Sequence, residues 1–165
     1  MRVYLPSTLP GLRHLLDTGS VGDPPLPAFA VTGALREWYA EGGDDELEYA
    51  ALMLAARASL RLLDVDADAP RRRAVIVAEV AEGVVVPAPA VDRGAVHVGE
   101  VITLRLVQSV HVDDSSAQAD ITAAVDAVIE ADLGSEDAVF ALEQAEGHEL
   151  QWYATQEIGP LLELS

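Results

Sequence analysis

Ser109-Val110-His111-Val112-Asp113-Asp114-Ser115-Ser116 passes from one structural period to another, and that passage decides the fold. Through Val112 the β-branched residues read as a strand. Asp-Asp-Ser-Ser is the residue set that accepts hydrogen bonds from the first free N–H groups of a helix, and Ser115 or Ser116 is the expected cap. Ile121, Val125, Val128 and Ile129 then recur at helical spacing and form its expected buried face. A strand that feeds a capped helix is the unit of layered α/β and α+β domains rather than of bundles.

The same unit opens the chain. Residues 2–5 form a short strand that Pro6 ends. Ser7 or Thr8 caps a helix with Pro10 in its first turn, where the missing N–H has no helical partner to lose. Leu9, Leu12, Leu15 and Leu16 share a face, and Gly19 stops the helix. Outward from there, residues 18–27 read as a loop and Ala28–Thr32 as a strand, and a short helix runs through Leu35 and Trp38 to Gly42-Gly43. The longest helix spans 44–63. Its first turn holds Asp44, Asp45, Glu46 and Glu48, and Arg57 and Arg61 lie near its end, charges that suit the helix dipole at both termini. Its expected buried stripe is Leu47, Ala51, Leu54, Ala58 and Leu62. Ala74–Val80 is a small, β-branched run of the kind buried on both faces. Strands follow at 95–98 and 101–104. A helix that Ser135 caps runs to about Ala145, and a last strand covers 149–154. A C-terminal helix over 156–164 is weakened by Gly159-Pro160.

Two pairs of segments look alike: Val3–Ser7 with Val110–Asp114, and Phe29–Thr32 with Tyr153–Gln156. They predict two βαβ-like halves, 1–63 and 107–165, joined by 64–106 within one domain of 165 residues. The expected architecture is α/β or α+β, a mixed sheet with helices mainly on one face and a ferredoxin-like relation between the halves.

Composition narrows the function classes. With no cysteine, disulfides, cysteine metal clusters and thiol catalysis are out. The ten basic residues are all arginines and the net charge is −18, so Schiff-base chemistry on lysine is out as well. Nucleic acid is not an expected partner, because phosphate backbones meet repulsion instead of counterion release. Anionic membrane is excluded likewise, and no apolar run approaches the ~18 residues of a span. No signal peptide is evident, which predicts a cytoplasmic protein. Acidity by itself serves solubility; its sharper consequence is a basic protein partner. Nucleotide-binding, zinc-protease, EF-hand and serine-hydrolase motifs are absent.

Two places could carry chemistry. His111 and Asp113 project to one face of their strand, because the side-chain period is two, and Asp114 follows at the helix entry. With Glu157 from elsewhere they could hold a divalent metal or act as acid and base. The plainer reading is a helix cap beside an ordinary histidine, and no cofactor is predicted. The second place is aromatic: Trp38 and Tyr39, with Trp152, Tyr153 and Gln156 near the C-terminus. Such rings suit a ligand pocket or a homodimer contact, or they complete a core that is only 5% aromatic overall. The triplet Arg71-Arg72-Arg73 is expected to pair with nearby Asp64, Asp66 and Asp68.

Arg2–Pro6, Ala34–Tyr39, Glu46–Ala51, Ser109–Asp114 and Trp152–Glu157 together resemble a family of small uncharacterised actinobacterial proteins, over nearly the whole chain. The lysine-free composition fits that lineage. The resemblance implies no activity, cofactor or site. The expected function is therefore a non-catalytic binding or interaction module, with a small, metal-assisted enzyme built on His111, Asp113 and Asp114 as the alternative.

Overall fold

The computed structural model describes residues 1–165. In chain order the elements are β1 (Arg2–Ser7), α1 (Leu9–Thr18), β2 (Ser20–Val21), β3 (Leu26–Phe29), α2 (Gly33–Trp38), α3 (Asp44–Asp64), β4 (Ala74–Glu79), β5 (Val85–Pro87), β6 (Ala95–Val98), β7 (Ile102–Thr103), β8 (Val107–Val112), α4 (Gln118–Asp132), α5 (Glu136–Glu146), β9 (Gln151–Ala154) and α6 (Ile158–Glu163). Seven strands make one sheet in the order β5-β6-β3-β1-β4-β8-β9, and β2 pairs with β7 apart from it. Every pairing is antiparallel. The fold is α+β, and the expected mixture of parallel and antiparallel pairs does not occur.

β4 lies near the middle, between β1 and β8. Its first five residues are all buried, as a strand covered on both faces requires. On one face Val3, Leu5, Ile76, Val110 and Val112 meet Leu12 and Leu15 of α1 and Ile158 and Leu161 of α6. On the other, Tyr4, Phe29, Val75 and Val77 meet Leu35 of α2 and Leu47, Ala51 and Ala55 of α3. Beyond the sheet, Leu60 and Leu63 at the end of α3 join Ile121, Val125 and Val128 of α4 and Leu142 of α5 in a third cluster. Thus α2 and α3 cover one face, α1 and α6 cover the opposite one, and α4 and α5 pack on the end of α3. Gly134, at φ 95°, makes the turn between α4 and α5.

The resembling segments occupy corresponding places. β1 and β8 flank β4, and β3 and β9 lie outside them. Each pair is a strand, helix and neighbouring strand, but the two strands are antiparallel, so neither is a βαβ unit. The crossover around an intervening strand runs instead from β3 through α2 and α3 to β4, with β1 between.

Several local expectations need correction. β1 continues through Pro6 to Ser7, with Pro6 opposite Val75. The buried stripe of α3 is Leu47, Ala51, Ala55, Ser59 and Leu63, with Leu52, Ala56 and Leu60 beside it; Leu54 and Ala58 are only partly buried and Leu62 is exposed. Ser59 lies inside the stripe because its hydroxyl donates to the Ser7 carbonyl at 2.7 Å and accepts the Ala74 N–H at 3.1 Å. Ile129 on α4 is exposed. Thr8 and Ser135 cap α1 and α5 as expected, whereas Asp114 caps the turn at 115–117 that precedes α4, by accepting from Ser116. α6 forms despite Gly159-Pro160, with Pro160 in its first turn, where the proline removes no helical hydrogen bond.

The arginine triplet does not pair with Asp64, Asp66 or Asp68. Arg71 donates to the Leu63 and Asp66 carbonyls at 2.9 and 3.0 Å, which ties it to the end of α3 and the turn that follows. Arg72 donates to the Asp113 carbonyl at 2.9 Å. Arg73 is 1% exposed and forms a two-pronged ion pair with the fully buried Asp113, Nε to Oδ2 and Nη2 to Oδ1, both at 2.9 Å. Its backbone N–H also donates to Asp113 Oδ2 at 2.7 Å. The same guanidinium reaches the Ala145 and His148 carbonyls at 3.1 and 3.0 Å. One buried pair thereby joins β4, the end of β8 and the end of α5.

Candidate functional site

The exposed side of α3 carries a second row at four-residue spacing: Asp45, Tyr49, Met53 and Arg57. It forms the wall of a groove of about 780 Å³ whose opposite side holds Leu35, Trp38, Tyr39 and the Asp92-Arg93 turn. Local chemistry holds that side in place. The Thr32 hydroxyl accepts the Leu35 N–H at 3.1 Å and so starts α2. The same hydroxyl donates to the Arg93 carbonyl, and Ala30 N–H donates to the Gly94 carbonyl at 2.9 Å. Asp92 Oδ1 accepts the Gly94 N–H at 3.1 Å. A Cβ on Gly94 would lie 2.8 Å from Leu54 Cδ1, so a larger residue there would have to push the Leu54 side chain aside. Arg93 then lies over the indole of Trp38, its Cζ 3.7 Å from the ring centroid.

A second trough, of about 400 Å³, lies on the other side of Asp45 and Tyr49, which line both. Its floor is sheet: Tyr4, Val77, Ser109 and His111. Glu48 and Trp152 stand at its sides, with Glu48 bridged to Arg2 at 3.2 Å. Burial holds the His111 imidazole below its ordinary pKa, because a charge there would lose water, and raises the Tyr4 phenol for the same reason. Arg57 in the larger groove donates to Asp132 of α4 at 3.1 Å, and its Nε is buried without a partner. Asp132 also takes two bonds from Arg61, at 2.8 and 2.9 Å; this bonding to Arg61 is the main reason its carboxyl is held below the usual range.

The residues singled out from sequence are dispersed by the fold. His111 lies in β8, whereas Asp113 follows the strand's last residue, Val112, and is consumed by Arg73. Asp114 accepts from Ser116, N–H at 3.3 Å and hydroxyl at 2.6 Å, and that hydroxyl lowers its pKa. Glu157 accepts the Ala154 N–H at 2.9 Å. No three histidine or acidic side chains gather where they could hold one metal ion. Trp38 and Tyr39 line the first groove and Trp152 the second. Tyr153 points to the opposite face of the sheet, beside Glu157 and Leu161, and Gln156 is exposed. Of these aromatics only Tyr153 packs against the core; Trp38 is 62%, Tyr39 42% and Trp152 60% exposed. Sequence reasoning missed Asp45, Tyr49 and Arg93. The row of four on α3 was a usable signal for the first two. Nothing local points to Arg93, which meets Trp38 only through the tertiary fold.

One family model matches the chain, over residues 1–162: Family of unknown function (DUF6912). No curated protein and no solved structure matches it.

Proposed function

The chain belongs to the DUF6912 family of unknown function, and from that premise we propose that it is a non-catalytic binding module whose ligand lies along the α2–α3 face. One observation supports this above the rest. The chain has only two Trp, four Tyr and two Phe, yet Trp38, Tyr39, Tyr49 and Trp152 are all exposed on that face. Fully burying a large apolar side chain contributes roughly 1.5–3 kcal/mol, and these rings, 42–62% exposed, forgo about half of that each. A single exposed ring is ordinary; four around adjoining grooves mark a surface that another molecule covers. A volume of about 780 Å³ falls within the ~300–1,000 Å³ of typical ligand sites.

The metal-assisted alternative draws less support, since Asp113, Asp114 and Glu157 are each engaged apart from His111. A second copy of the chain would bring another −18 charge and its own groove carboxylates, so we assign the face to a different molecule rather than to a homodimer. The cysteine-free and lysine-free composition supports placing this module in the cytoplasm of an actinobacterium.

The test is a chemical-shift survey of the ¹⁵N-labelled protein against short peptides of varied charge, with light scattering on the free protein. Shifts should cluster on residues 35–57 and 92–94 and vanish in Trp38→Ala. Shifts confined to other faces, or none, would remove the proposal. A dimer that dissociates in Trp38→Ala would replace it with self-association.

A further inference from the structure

Resting on that groove as a binding site, we infer that its ligand is an extended, arginine-bearing segment of a basic protein, and that Arg93 occupies the place of an incoming arginine. Charge is the first argument. Asp45, Glu46, Asp92 and Glu146 line the larger groove against Arg57 and Arg93, so its carboxylates outnumber its cations, and Arg57 is ion-paired to Asp132. An apolar helix laid there would strip water from carboxylates without pairing them, which is strongly unfavourable. An anion would meet their repulsion directly.

Ring chemistry is the second argument. The face of Trp38 already accepts a guanidinium, Arg93, at 3.7 Å. Arg93 forms no ion pair, nor do Arg13, Arg71, Arg72 and Arg105; the other five arginines, Arg2, Arg36, Arg57, Arg61 and Arg73, do. Arg93 is held by the ring face alone, a weak attraction at an exposed site, so another guanidinium could take its place. Shape is the third argument. The two troughs share the Asp45–Tyr49 wall and have Trp38 and Trp152 on opposite sides of it. A small molecule would fill one trough; an extended chain, at ~3.3 Å per residue, can cross from one to the other.

The experiment uses the full chain and fluorescence anisotropy of a dye-labelled peptide of alternating arginine and glycine, with lysine-for-arginine and glutamate-for-arginine versions, at about 0.15 M salt. The arginine peptide should bind, the lysine peptide more weakly, since it stacks less well on rings, and the glutamate peptide not at all. Trp38→Ala and Trp152→Ala leave the net charge unchanged and should each weaken the arginine peptide about fivefold. Arg93→Ala should tighten it about threefold, beyond what removing one charge does in an Arg105→Ala control. Both tryptophans are exposed, so their truncation should leave the circular dichroism unchanged, and Tyr49→Ala provides a second ring variant.

Equal binding of arginine and lysine peptides, indifferent to all three ring variants, would reduce the effect to polyelectrolyte attraction and overturn the inference. A neutral or acidic peptide that shifts residues 35–57 while the arginine peptide does not would overturn it and leave the binding-module proposal standing. Arg93→Ala that matches Arg105→Ala would remove the role given to Arg93.

Discussion

Asp113 shows how differently one residue reads alone and in place. In sequence it is one of two aspartates before a helix; in the fold it is the fully buried counter-ion of Arg73. The pair is also the crosslink among β4, β8 and the end of α5, through the Ala145 and His148 carbonyls. A buried ion pair adds little against an apolar substitute, but removing one partner leaves a charge stranded, at about 3–5 kcal/mol. Asp113→Asn should therefore lower the unfolding free energy by several kcal/mol in urea titrations at neutral pH, out of the ~5–15 kcal/mol such domains have. Replacing both partners, as Arg73→Met with Asp113→Leu, removes both charges but strands the Arg73 N–H and the Ala145 and His148 carbonyls, so it should recover only part of that loss. A single-variant loss below about 1 kcal/mol would show that the charge is not stranded.

At the scale of elements, α3 is the most informative, because its two opposite faces do different work. The buried face follows four-residue spacing from Leu47 through Ser59 to Leu63; the outer one, from Asp45 to Arg57, lines the groove. Ser59 is polar yet buried, and it supplies both a donor and an acceptor to β1 and β4. Ser59→Ala strands a buried carbonyl and a buried N–H, and should destabilise by about 1–3 kcal/mol. Leu62→Ala, on the exposed side, should stay within about 0.5 kcal/mol of wild type. Thermal melts of the two variants decide it: the reverse order would mean that the helix is rotated from the position described.

For the whole molecule, charge is the dominant property. A net charge of −18 on 17.5 kDa repels itself more in the compact state than in the unfolded chain. Salt shortens the reach of that repulsion, from ~30 Å at 0.01 M to ~10 Å at 0.1 M. Raising sodium chloride across that range should raise the melting temperature by a few degrees, as about 1 kcal/mol moves a domain of this size by ~2–4 °C. A fall would mean that surface ion pairs, such as Arg61 with Asp132, outweigh the repulsion. The basic ligand proposed for the aromatic face rests on the same surplus of negative charge.

The helices and most of the strands were legible in the chain, because hydrophobic period and end signals are local properties; β2, which lies in the stretch 18–27 read as a loop, and β5, each only two or three residues long, were not. Thr8, Gly19, Ser135 and the acids at the start of α3 mark their helices without outside help. The acidity and the missing cysteine and lysine were legible too, and with them the chemistries that this chain does not perform. Strand order, the antiparallel pairing and the coverage of both sheet faces came only from tertiary structure, since they depend on which distant surfaces bury each other. The Arg73–Asp113 pair and the Arg93–Trp38 stack belong there as well. Each joins residues 40 or more positions apart, and no local pattern records which charge will find which partner once water has been driven out between them.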